Sequence, residues 1–494
     1  MIQTIIDLID SFEGDSRIAI IHNGTHITYE QFYDDITNLS AHLSNHYLRD
    51  GESALLYSKN KYKLLLGIYS VMYAGAVAVP VGDNTPNVAL EKIANVTNSK
   101  IVLTDDIDSV LTTTLTKVQI KDFQQRSDRF KREIDEHDSA LVLFTSGTSG
   151  EKKGTLLSHR NLIRTALYIN EFMEVKQRIT EYLMIPVFHS FGLGRTRCVF
   201  LVKGTLVIDD GLFNPFLMVK RLVKHNCDAF SGVPSVIAML IKTGESKFPQ
   251  FGKNIRFVEI GSAPMLTEHK EFLIEHLPRA NICMHYGLTE ASRSCFINFR
   301  KEHNKLCSVG KPSPGVRVMI VDDNSKELPA GELGEIIISG PNVSKGYLNK
   351  PSLNKEKFID DWFHTGDLGY KDNEGYVYFS GRKDDIINVG GEKVSPLEIE
   401  HLINSLNLIN GDFCVVGIHD REGIYGQVPA LCITDINYSK GDLENLNTRL
   451  WSSGLKKIFQ PKFFYYMQQI PKTDNGKVMR REIEYHLNNY QRGR

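Results

Sequence analysis

The most constraining feature of the sequence is an apolar run at Leu64–Gly82, which reads LLLGIYSVMYAGAVAVPVG and contains no charged residue. A run of this length is close to what a membrane-spanning helix requires. Gly75, however, divides it into a helix-like half and a β-branched half that ends at Pro80. The pattern therefore predicts a buried helix that leads into a buried strand, rather than a membrane span.

Helix and strand signals alternate along most of the chain, which indicates layered α/β domains. Arg17–His22 predicts a strand, Asn23-Gly24 predicts a tight hairpin turn, and Thr28 with Gln31 predicts a capping box at the start of a helix. We expect a buried core in each of two or more domains, because 494 residues exceed one ordinary core.

From about residue 309 the sequence changes to short strands separated by Gly, Pro, Asp and Asn, which is typical of a small β-rich subdomain. The predicted strands are Val316–Val321, Gly334–Ser339 and Gly375–Phe379. After residue 384 a helix around 396–405 and a strand at 413–418 begin a new α/β pattern. We predict a large N-terminal domain over residues 1–383, a hinge near Asp384, and a small mobile C-terminal domain over residues 384–494.

Composition and charge exclude several classes of protein. The chain is 41% hydrophobic and 24% charged, which is ordinary for a globular protein and argues against disorder or a fibrous fold. A formal net charge of -1 gives no electrostatic basis for binding nucleic acid or an anionic membrane. The cysteines form no CxxC pair, and the N-terminus lacks the basic start of a signal peptide. We therefore predict a cytoplasmic protein without a nucleic-acid partner or a transmembrane segment.

A loop rich in glycine and hydroxyl residues follows the apolar strand Ala140–Phe144. It runs from Thr145 to Gly154 as TSGTSGEKKG. Glycines let backbone N–H groups approach an anion, and the hydroxyls and lysines add donors and positive charge, so the loop suits a polyphosphate. The spacing does not fit a Walker A loop, because Lys152 stands five residues after Gly147. On composition alone, a flexible surface loop remains an equal alternative.

Six further segments follow this loop in a fixed order, and together they resemble the adenylate-forming (AMP-binding) superfamily. That superfamily includes acyl- and aryl-CoA ligases, luciferases and the adenylation domains of peptide synthetases, and the acyl-CoA ligase branch is the most similar. The loop departs from the family pattern in one place, since Glu151-Lys152-Lys153-Gly154 replaces Lys-Pro-Lys-Gly, but the second lysine survives as Lys153. The further segments are PVFHSFGLG (186–194), GSAP (261–264), HYGLTEAS (285–292), WFHTGDLG (362–369), GRKDDIINVGGEKVSPLEIE (381–400) and PKTDNGK (471–477).

The resemblance implies activation of a carboxylic acid by ATP to an acyl-AMP, followed by transfer of the acyl group to a pantetheine thiol. The implied catalytic residues are Lys477, Thr289, Glu290 and His189, and Glu290 is also the implied ligand of Mg²⁺. The implied residues for binding ATP and coenzyme A are Thr145, Ser146, Gly147, Thr148, Ser149, Gly150, Lys153, Gly261, Ser262, Ala263, Tyr286, Gly287, Asp367, Arg382, Gly390 and Gly391.

In resembling enzymes these residues have distinct roles around the nucleotide. Tyr286 is implied to stack on adenine, Thr289 to bond a phosphate oxygen and Glu290 to hold Mg²⁺ between its carboxylate and the triphosphate. Asp367 is implied to accept hydrogen bonds from the ribose hydroxyls, because a carboxylate is an acceptor-only group. Arg382 is implied to assist at the ribose or phosphate.

Three features near the C-terminus carry the second half of the implied reaction. Lys477 is implied to bridge the substrate carboxylate and the α-phosphate, where an ammonium neutralises developing charge. The small domain of resembling enzymes then turns about the position of Asp384. Gly390 and Gly391 would lie against the thiol arm, where the absence of side chains leaves room.

The acid and the acceptor are only partly indicated. Peptide synthetases have an aspartate for the substrate ammonium group where this chain has His189, so an α-amino acid is disfavoured; a hydrogen-bonded core histidine is the structural alternative. We expect surface or inter-strand pairing for Arg195, Arg197 and Arg293, with recognition of a second anionic or polar substrate group as the alternative. CoA is the expected acceptor, and a separate acyl carrier protein remains an alternative. An oxygenase or an inactive binding protein on the same scaffold is less consistent with the motifs.

Overall fold

The computed structural model describes residues 2–108, 110, 114–120, 133–145, 153–211, 214–244, 248–420, 422–473 and 476–492. Ser146, Gly147, Thr148, Ser149 and Gly150 of the predicted phosphate loop lie outside these ranges, and of Thr145 only the backbone is described.

The helices are α1 Ile5–Asp10, α2 Tyr29–His46, α3 Lys61–Tyr73, α4 Asn87–Thr97, α5 His159–Phe172, α6 Ser190–Leu201, α7 Pro215–Lys224, α8 Pro234–Gly244, α9 Phe248–Phe251, α10 Thr267–His276, α11 Pro351–Lys357, α12 Pro396–Leu406, α13 Lys440–Ser452 and α14 Arg480–Arg492. The strands are β1 Ile18–His22, β2 Thr25–Thr28, β3 Ser53–Leu56, β4 Val77–Pro80, β5 Ile101–Thr104, β6 Thr116–Gln119, β7 Ser139–Thr145, β8 Lys153–Ser158, β9 Thr180–Leu183, β10 Thr205–Ile208, β11 Ala229–Gly232, β12 Phe257–Ile260, β13 Asn281–Tyr286, β14 Cys295–Asn298, β15 Lys311–Pro312, β16 Arg317–Val321, β17 Gly334–Ser339, β18 Phe358–Ile359, β19 Trp362–Lys371, β20 Val377–Arg382, β21 Ile387–Val389, β22 Glu392–Val394, β23 Phe413–His419, β24 Gln427–Ile433 and β25 Phe463–Tyr466.

The long apolar run folds as the sequence predicts. Its first half forms most of α3 and its second half forms β4, and both elements are almost entirely buried. Gly75 lies between them with φ +77°, a conformation that favours glycine. Among the described residues, no helix combines the length and the apolar character needed to cross a membrane.

Other local predictions are confirmed or corrected by the backbone. Strands β1 and β2 form the predicted hairpin, and the Thr28 hydroxyl accepts the Gln31 N–H in the predicted capping box at the start of α2. The strand predicted at Gly375–Phe379 is wrong in its bounds, because it begins at Val377 and continues to Arg382. Gly375 has φ +86° and belongs to the preceding turn.

The described chain divides into two compact units, the first comprising residues 1–318 and 338–364. This unit contains a six-stranded sheet in the order β6-β5-β3-β4-β7-β8 and a nine-stranded sheet in the order β15-β14-β13-β12-β11-β9-β10-β1-β2. Strands β9 to β13 pair in parallel with their neighbours within the row β13-β12-β11-β9-β10. Their carboxyl ends therefore lie at one edge of the sheet, the usual place for a ligand site in such sheets.

The second unit comprises residues 319–337 and 365–494. Its C-terminal part contains the β21–β22 hairpin and a three-stranded sheet in the order β23-β24-β25, with buried apolar residues from α12, α13 and α14 packed in its cores. Residues 365–383 belong to this unit by their contacts, and the hinge near Asp384 stays a prediction. The mixed α/β architecture agrees with the predicted fold class.

Candidate active site

The ends of the candidate phosphate loop are held by an antiparallel hairpin. Strands β7 and β8 pair so that Thr145 lies opposite Lys153 and Phe144 lies opposite Gly154. The segment that contains Tyr347 runs beside β8, where the Leu348 N–H donates to the Gly154 carbonyl over 2.8 Å. The hairpin therefore fixes Lys153 at the base of the loop and next to a second chain segment.

Tyr347 connects two residues of the predicted site. Its hydroxyl donates a 2.8 Å hydrogen bond to Glu290 Oε1, and the Lys153 Nζ lies 5.5 Å from the centre of its ring. Tyr347 and Glu290 are each 7% exposed. The structure thus brings together the lysine and the carboxylate that the motifs predicted, and it adds a tyrosine that the motifs did not predict.

Two predicted glycines are required by close packing at the carboxyl ends of neighbouring strands. Gly261 follows β12, and a Cβ there would lie 2.1 Å from the His285 ring. Gly287 follows β13, and a Cβ there would lie 2.4 Å from the backbone nitrogen of Arg293. Neither position can accept a side chain without displacing its neighbours, so the two motif loops are closely packed.

The remaining predicted residues of these loops sit at the same strand ends. Tyr286 is the last residue of β13, and Thr289 is half-buried in the turn that follows it. In the GSAP loop, Ser262 has φ +80°, a conformation uncommon for a residue with a side chain, and Ala263 is half-buried. Backbone strain of this kind often occurs at ligand sites.

His189 is the N-cap residue of α6, and its side chain makes no capping hydrogen bond. It is half-buried, and its ring lies 4.3 Å from that of Phe188. It is therefore not a fully buried core histidine, although its ring packs against a neighbour.

A buried ion-pair network adjoins these strand ends. Arg195 of α6 is 1% exposed and lies between two carboxylates, with its Nη2 2.5 Å from Glu181 Oε2 and its Nη1 3.0 Å from Glu259 Oε2. Glu259 Oε1 also lies 2.7 Å from His285 Nδ1 and 3.1 Å from Arg293 Nε. Arg195 and Arg293 are therefore paired, as expected, but the expected location on the surface or between strands is wrong, because the pairs are buried and join α6 and the loop after β13 to the sheet.

The network keeps the Glu259 carboxylate charged although it is buried. Burial alone would raise the pKa of Glu259, but Arg293, Arg195 and His285 together hold it well below its usual range. Burial lowers the pKa of His285, against the raising effect of Glu259. The sequence carried a signal for these pairs, since each glutamate interrupts an otherwise apolar strand, in TEYL and FVEI, and a buried glutamate needs a partner.

We expect Arg195→Met to lower the free energy of unfolding by about 3 kcal/mol, because it removes the arginine paired with the buried Glu181 and one of the two arginines paired with the buried Glu259. Urea unfolding at neutral pH measures the change. Arg256→Met is the matched control: its pair with Asp228 is partly exposed, and such pairs contribute up to about 1 kcal/mol. Equal losses in both variants would contradict the role of the network.

In the second unit, Asp367 and Arg382 face each other on neighbouring strands. They are register partners of β19 and β20, and Arg382 Nε lies 3.5 Å from Asp367 Oδ1. Asp367 is 5% exposed, and its N–H donates to Thr365 Oγ1 over 3.0 Å. Two residues predicted for the ribose end of the nucleotide therefore lie side by side.

Gly390 and Gly391 form the two-residue turn between β21 and β22. Their φ values are +61° and +92°, as expected for a type I′ hairpin turn. In the part of the chain that the structure describes, nothing lies within 4 Å of a Cβ placed on Gly391. The turn geometry is thus one reason for these glycines, and the open space beside Gly391 is compatible with the second predicted reason, access for a thiol arm.

Lys477 is exposed, and its backbone is hydrogen-bonded to Thr473. The Thr473 N–H donates to the Lys477 carbonyl over 2.8 Å, and the Lys477 N–H donates to Thr473 Oγ1 over 3.2 Å. Gly476 has φ +76°, a conformation that favours glycine. The backbone at Lys477 is therefore defined by local hydrogen bonds that do not involve its ammonium group.

Comparison with known proteins identifies the family. A family model described as AMP-binding enzyme matches residues 13–348, which is more than half of the chain. This chain belongs to the AMP-binding enzyme family. The predicted relationship to the adenylate-forming superfamily is thereby confirmed.

Named relatives of this AMP-binding enzyme are CoA ligases. The chain is 36% identical over 353 residues to an oxalate–CoA ligase of Saccharomyces cerevisiae, a match that spans 70% of this chain and 63% of the yeast enzyme. It is 28% identical over 516 aligned residues to a long-chain-fatty-acid–CoA ligase of Bacillus subtilis, across 94% and 91% of the two chains.

A solved structure agrees with the fold of the whole chain. The o-succinylbenzoate CoA synthetase (MenE) of Bacillus subtilis, in complex with the acyl-adenylate intermediate OSB-AMP, has a TM-score of 0.86 and 23% identity. The match covers 97% of this chain and 98% of that one. The predicted layered α/β fold class is confirmed.

Proposed function

We propose that this protein is an AMP-forming acid–CoA ligase. A carboxylate oxygen of the acid attacks the α-phosphorus of ATP, the bond to the β-phosphate oxygen breaks, and pyrophosphate leaves. The CoA thiol, as thiolate, then attacks the acyl carbon of the acyl-AMP, and AMP leaves with the former carboxylate oxygen. The names of the relatives and the AMP-binding family support this reaction.

The single observation that carries the proposal is the group formed by Lys153, Tyr347 and Glu290. The Lys153 ammonium, at the base of the loop, lies 5.5 Å from the centre of the Tyr347 ring. The Glu290 carboxylate lies 2.8 Å from the Tyr347 hydroxyl. A polyphosphate needs cations and donors around its oxygens, and a carboxylate beside it requires a bridging metal ion. An arrangement of both kinds is expected where Mg²⁺–ATP binds.

The donors at Glu290 fit Mg²⁺. Magnesium commonly binds through one or two carboxylates together with substrate phosphates and water, rather than in an all-protein cage. Glu290 Oε1 accepts the Tyr347 hydroxyl. Mg²⁺ bound there would neutralise charge on the phosphates. The tyrosine holds the carboxylate in position, and Lys153 and Thr289 contribute donors to the phosphate oxygens.

The nucleoside would be bound by residues from three motifs. We assign adenine stacking to Tyr286 at the end of β13, close to the GSAP loop of Gly261, Ser262 and Ala263. Asp367 would accept hydrogen bonds from the ribose hydroxyls, with Arg382 providing positive charge beside it. The paired geometry of these last two residues supports a shared task, because a carboxylate accepts the hydrogen bonds that ribose hydroxyls donate and the guanidinium lies beside it.

The reaction would be completed by the residues that follow Asp384. Lys477 would stabilise the charge that builds between the carboxylate and the α-phosphate, and Gly390 and Gly391 would border the thiol arm of CoA. His189, which replaces an ammonium-binding aspartate, would line the approach of the acid, so the acid carries no α-amino group. CoA is the proposed acceptor rather than an acyl carrier protein.

Pyrophosphate exchange tests the proposed function. The purified full chain is incubated with ATP, Mg²⁺, labelled pyrophosphate and a panel of fatty, aryl and dicarboxylic acids, and label in ATP is measured. We expect exchange that depends on one class of acid, and AMP release when CoA is added. If none of the acids in the panel supported exchange, the result would contradict the proposal. If the acyl group were transferred to a phosphopantetheinyl carrier protein but not to CoA, the carrier protein would be the acceptor instead of CoA.

We expect Tyr347→Phe to weaken the apparent affinity for Mg²⁺–ATP by roughly tenfold, because it removes a hydrogen bond to a charged group while it keeps the ring. Titration of initial rate against Mg²⁺–ATP measures the effect. The same change in Tyr378→Phe removes a hydroxyl bonded to Asp372, outside the proposed site, and should leave the titration unchanged. An unaltered affinity in Tyr347→Phe would contradict the assigned role of Tyr347.

A further inference from the structure

Arg197 is a buried cation that has no carboxylate partner among the described residues. It is 4% exposed, its Nε donates to the Leu162 carbonyl over 3.2 Å, and its Nη1 is buried without a hydrogen-bond partner among the residues that the structure describes. Arg195 and Arg293, by contrast, are paired with glutamates. Of the three arginines that the sequence singled out, Arg197 alone therefore has guanidinium capacity left within the described structure.

The position of Arg197 relates it to the acid-binding end of α6. Ser190, Gly194 and Arg197 are spaced by four and three residues and share one face of the helix. Arg197 begins roughly 10 Å along the axis from Ser190, and helical side chains lean towards the N-terminus of their helix. Ser190 directly follows His189, so this face runs from the proposed approach of the acid carboxylate to the guanidinium of Arg197.

The side chains packed along this face include further donors. Arg293 Nη1 lies so close to Gly194 that a Cβ there would be 2.6 Å from it, and it donates to the Ser190 carbonyl over 3.2 Å and to Ser292 Oγ over 3.1 Å. The hydroxyls of Ser190 and Ser292 are 3.5 Å apart. The charge of Arg293 also acts on Arg197 and adds to the lowering of its pKa by burial. The region thus has excess positive charge and hydroxyl donors.

A buried guanidinium without a counter-ion is costly, and an anion that binds beside it recovers much of that cost. The planar fork of arginine matches a carboxylate or a similar oxyanion. We propose that Arg197, together with the Ser190 and Ser292 hydroxyls, recognises a second anionic group on a short substrate acid. This inference rests on the proposed function, since it names the class of acid that the same site would activate.

The names of two similar proteins are in keeping with this class. Oxalate and o-succinylbenzoate, named for the yeast relative and the solved structure, are both dicarboxylates. The long-chain-fatty-acid–CoA ligase of Bacillus subtilis is named for an acid with a single anionic group. Because the named relatives include both classes of acid, the inference for this chain depends on its own residues, and a direct comparison of matched acids tests it.

The test compares acids that differ in the second charge. Pyrophosphate exchange is measured for oxalate, malonate, succinate and sulfoacetate against acetate, propionate and butyrate. We expect the best doubly anionic acid to have a kcat/KM at least ~10-fold above its monoanionic match, and Arg197→Met to lower that value by ~10–100-fold, the range for a hydrogen bond between charged groups. In Arg197→Met the kcat/KM of the monoanionic acid should stay the same. The control Arg256→Met should change the kcat/KM of neither class of acid.

Arg197→Lys keeps the positive charge but loses the planar guanidinium fork, so we expect it to retain part of the preference for doubly anionic acids. This variant also provides the test if Arg197→Met does not fold. A preference for a monoanionic acid, or equal losses for both classes of acid in these variants, would overturn the inference while leaving the ligase function intact. If no acid of either class supported exchange, the result would overturn the proposed function itself.

Discussion

Lys477→Ala is expected to lower the rate of acyl-AMP formation by at least ~10²–10³-fold, the range for loss of one oriented group that stabilises transition-state charge. Thioester formation from supplied acyl-AMP and CoA should fall far less, because no charge then builds between a carboxylate and a triphosphate. Separate assays of the two half-reactions measure the difference.

The Lys477→Ala substitution should preserve the local backbone structure. The Lys477 backbone is held by hydrogen bonds with the Thr473 N–H and Oγ1, so alanine removes the ammonium group without removing those bonds. Lys472→Ala is the control, since the Lys472 ammonium pairs with the exposed Asp412 carboxylate over 2.6 Å, and it should leave both half-reactions nearly unchanged. Equal losses in the two half-reactions of Lys477→Ala would refute its assigned role.

Asp384→Pro is expected to block thioester formation, by at least ~10²-fold, while it spares acyl-AMP formation. Proline fixes φ and restricts the preceding residue, so a hinge at this position could no longer absorb backbone change. Asp384 lies in a short 3₁₀ turn at Lys383–Asp385. The measurement is the same pair of half-reaction assays, with acyl-AMP supplied for the second.

A control separates backbone freedom from the loss of an ion pair. The Asp384 carboxylate lies 3.1 Å from Arg481 Nη2, and both side chains are about half exposed. Asp384→Ala removes that pair but keeps the backbone flexible, and such exposed pairs contribute little. It should therefore retain thioester formation. Normal turnover in Asp384→Pro, or the same loss in Asp384→Ala, would sink the hinge assignment.

Much of the fold and the position of the motif residues could be predicted from the sequence because their causes are local. The capping box at Thr28, the break at Gly75 and the β-branched strand that follows it depend on residues close together in the chain. Tyr286, Gly287 and Glu290 likewise lie close together because they belong to one motif, HYGLTEAS.

The rest depends on contacts between distant residues. Tyr347 reaches Glu290 across 57 positions, and no local pattern distinguishes it from any other tyrosine. Glu181 and Glu259 meet Arg195 only because their strands lie in one sheet. The three arginines looked alike in sequence, and their difference in pairing appears only when the carboxylates around them are located.

The central claim is that a carboxylate oxygen attacks the α-phosphorus of ATP, and oxygen transfer tests it most directly. The preferred acid, labelled with ¹⁸O in its carboxylate, is incubated with the protein, ATP and CoA, and the products are analysed by mass spectrometry. The account predicts one ¹⁸O atom in the AMP formed at each turnover. Label in inorganic phosphate with formation of ADP, or thioester formed with unlabelled AMP, would contradict it.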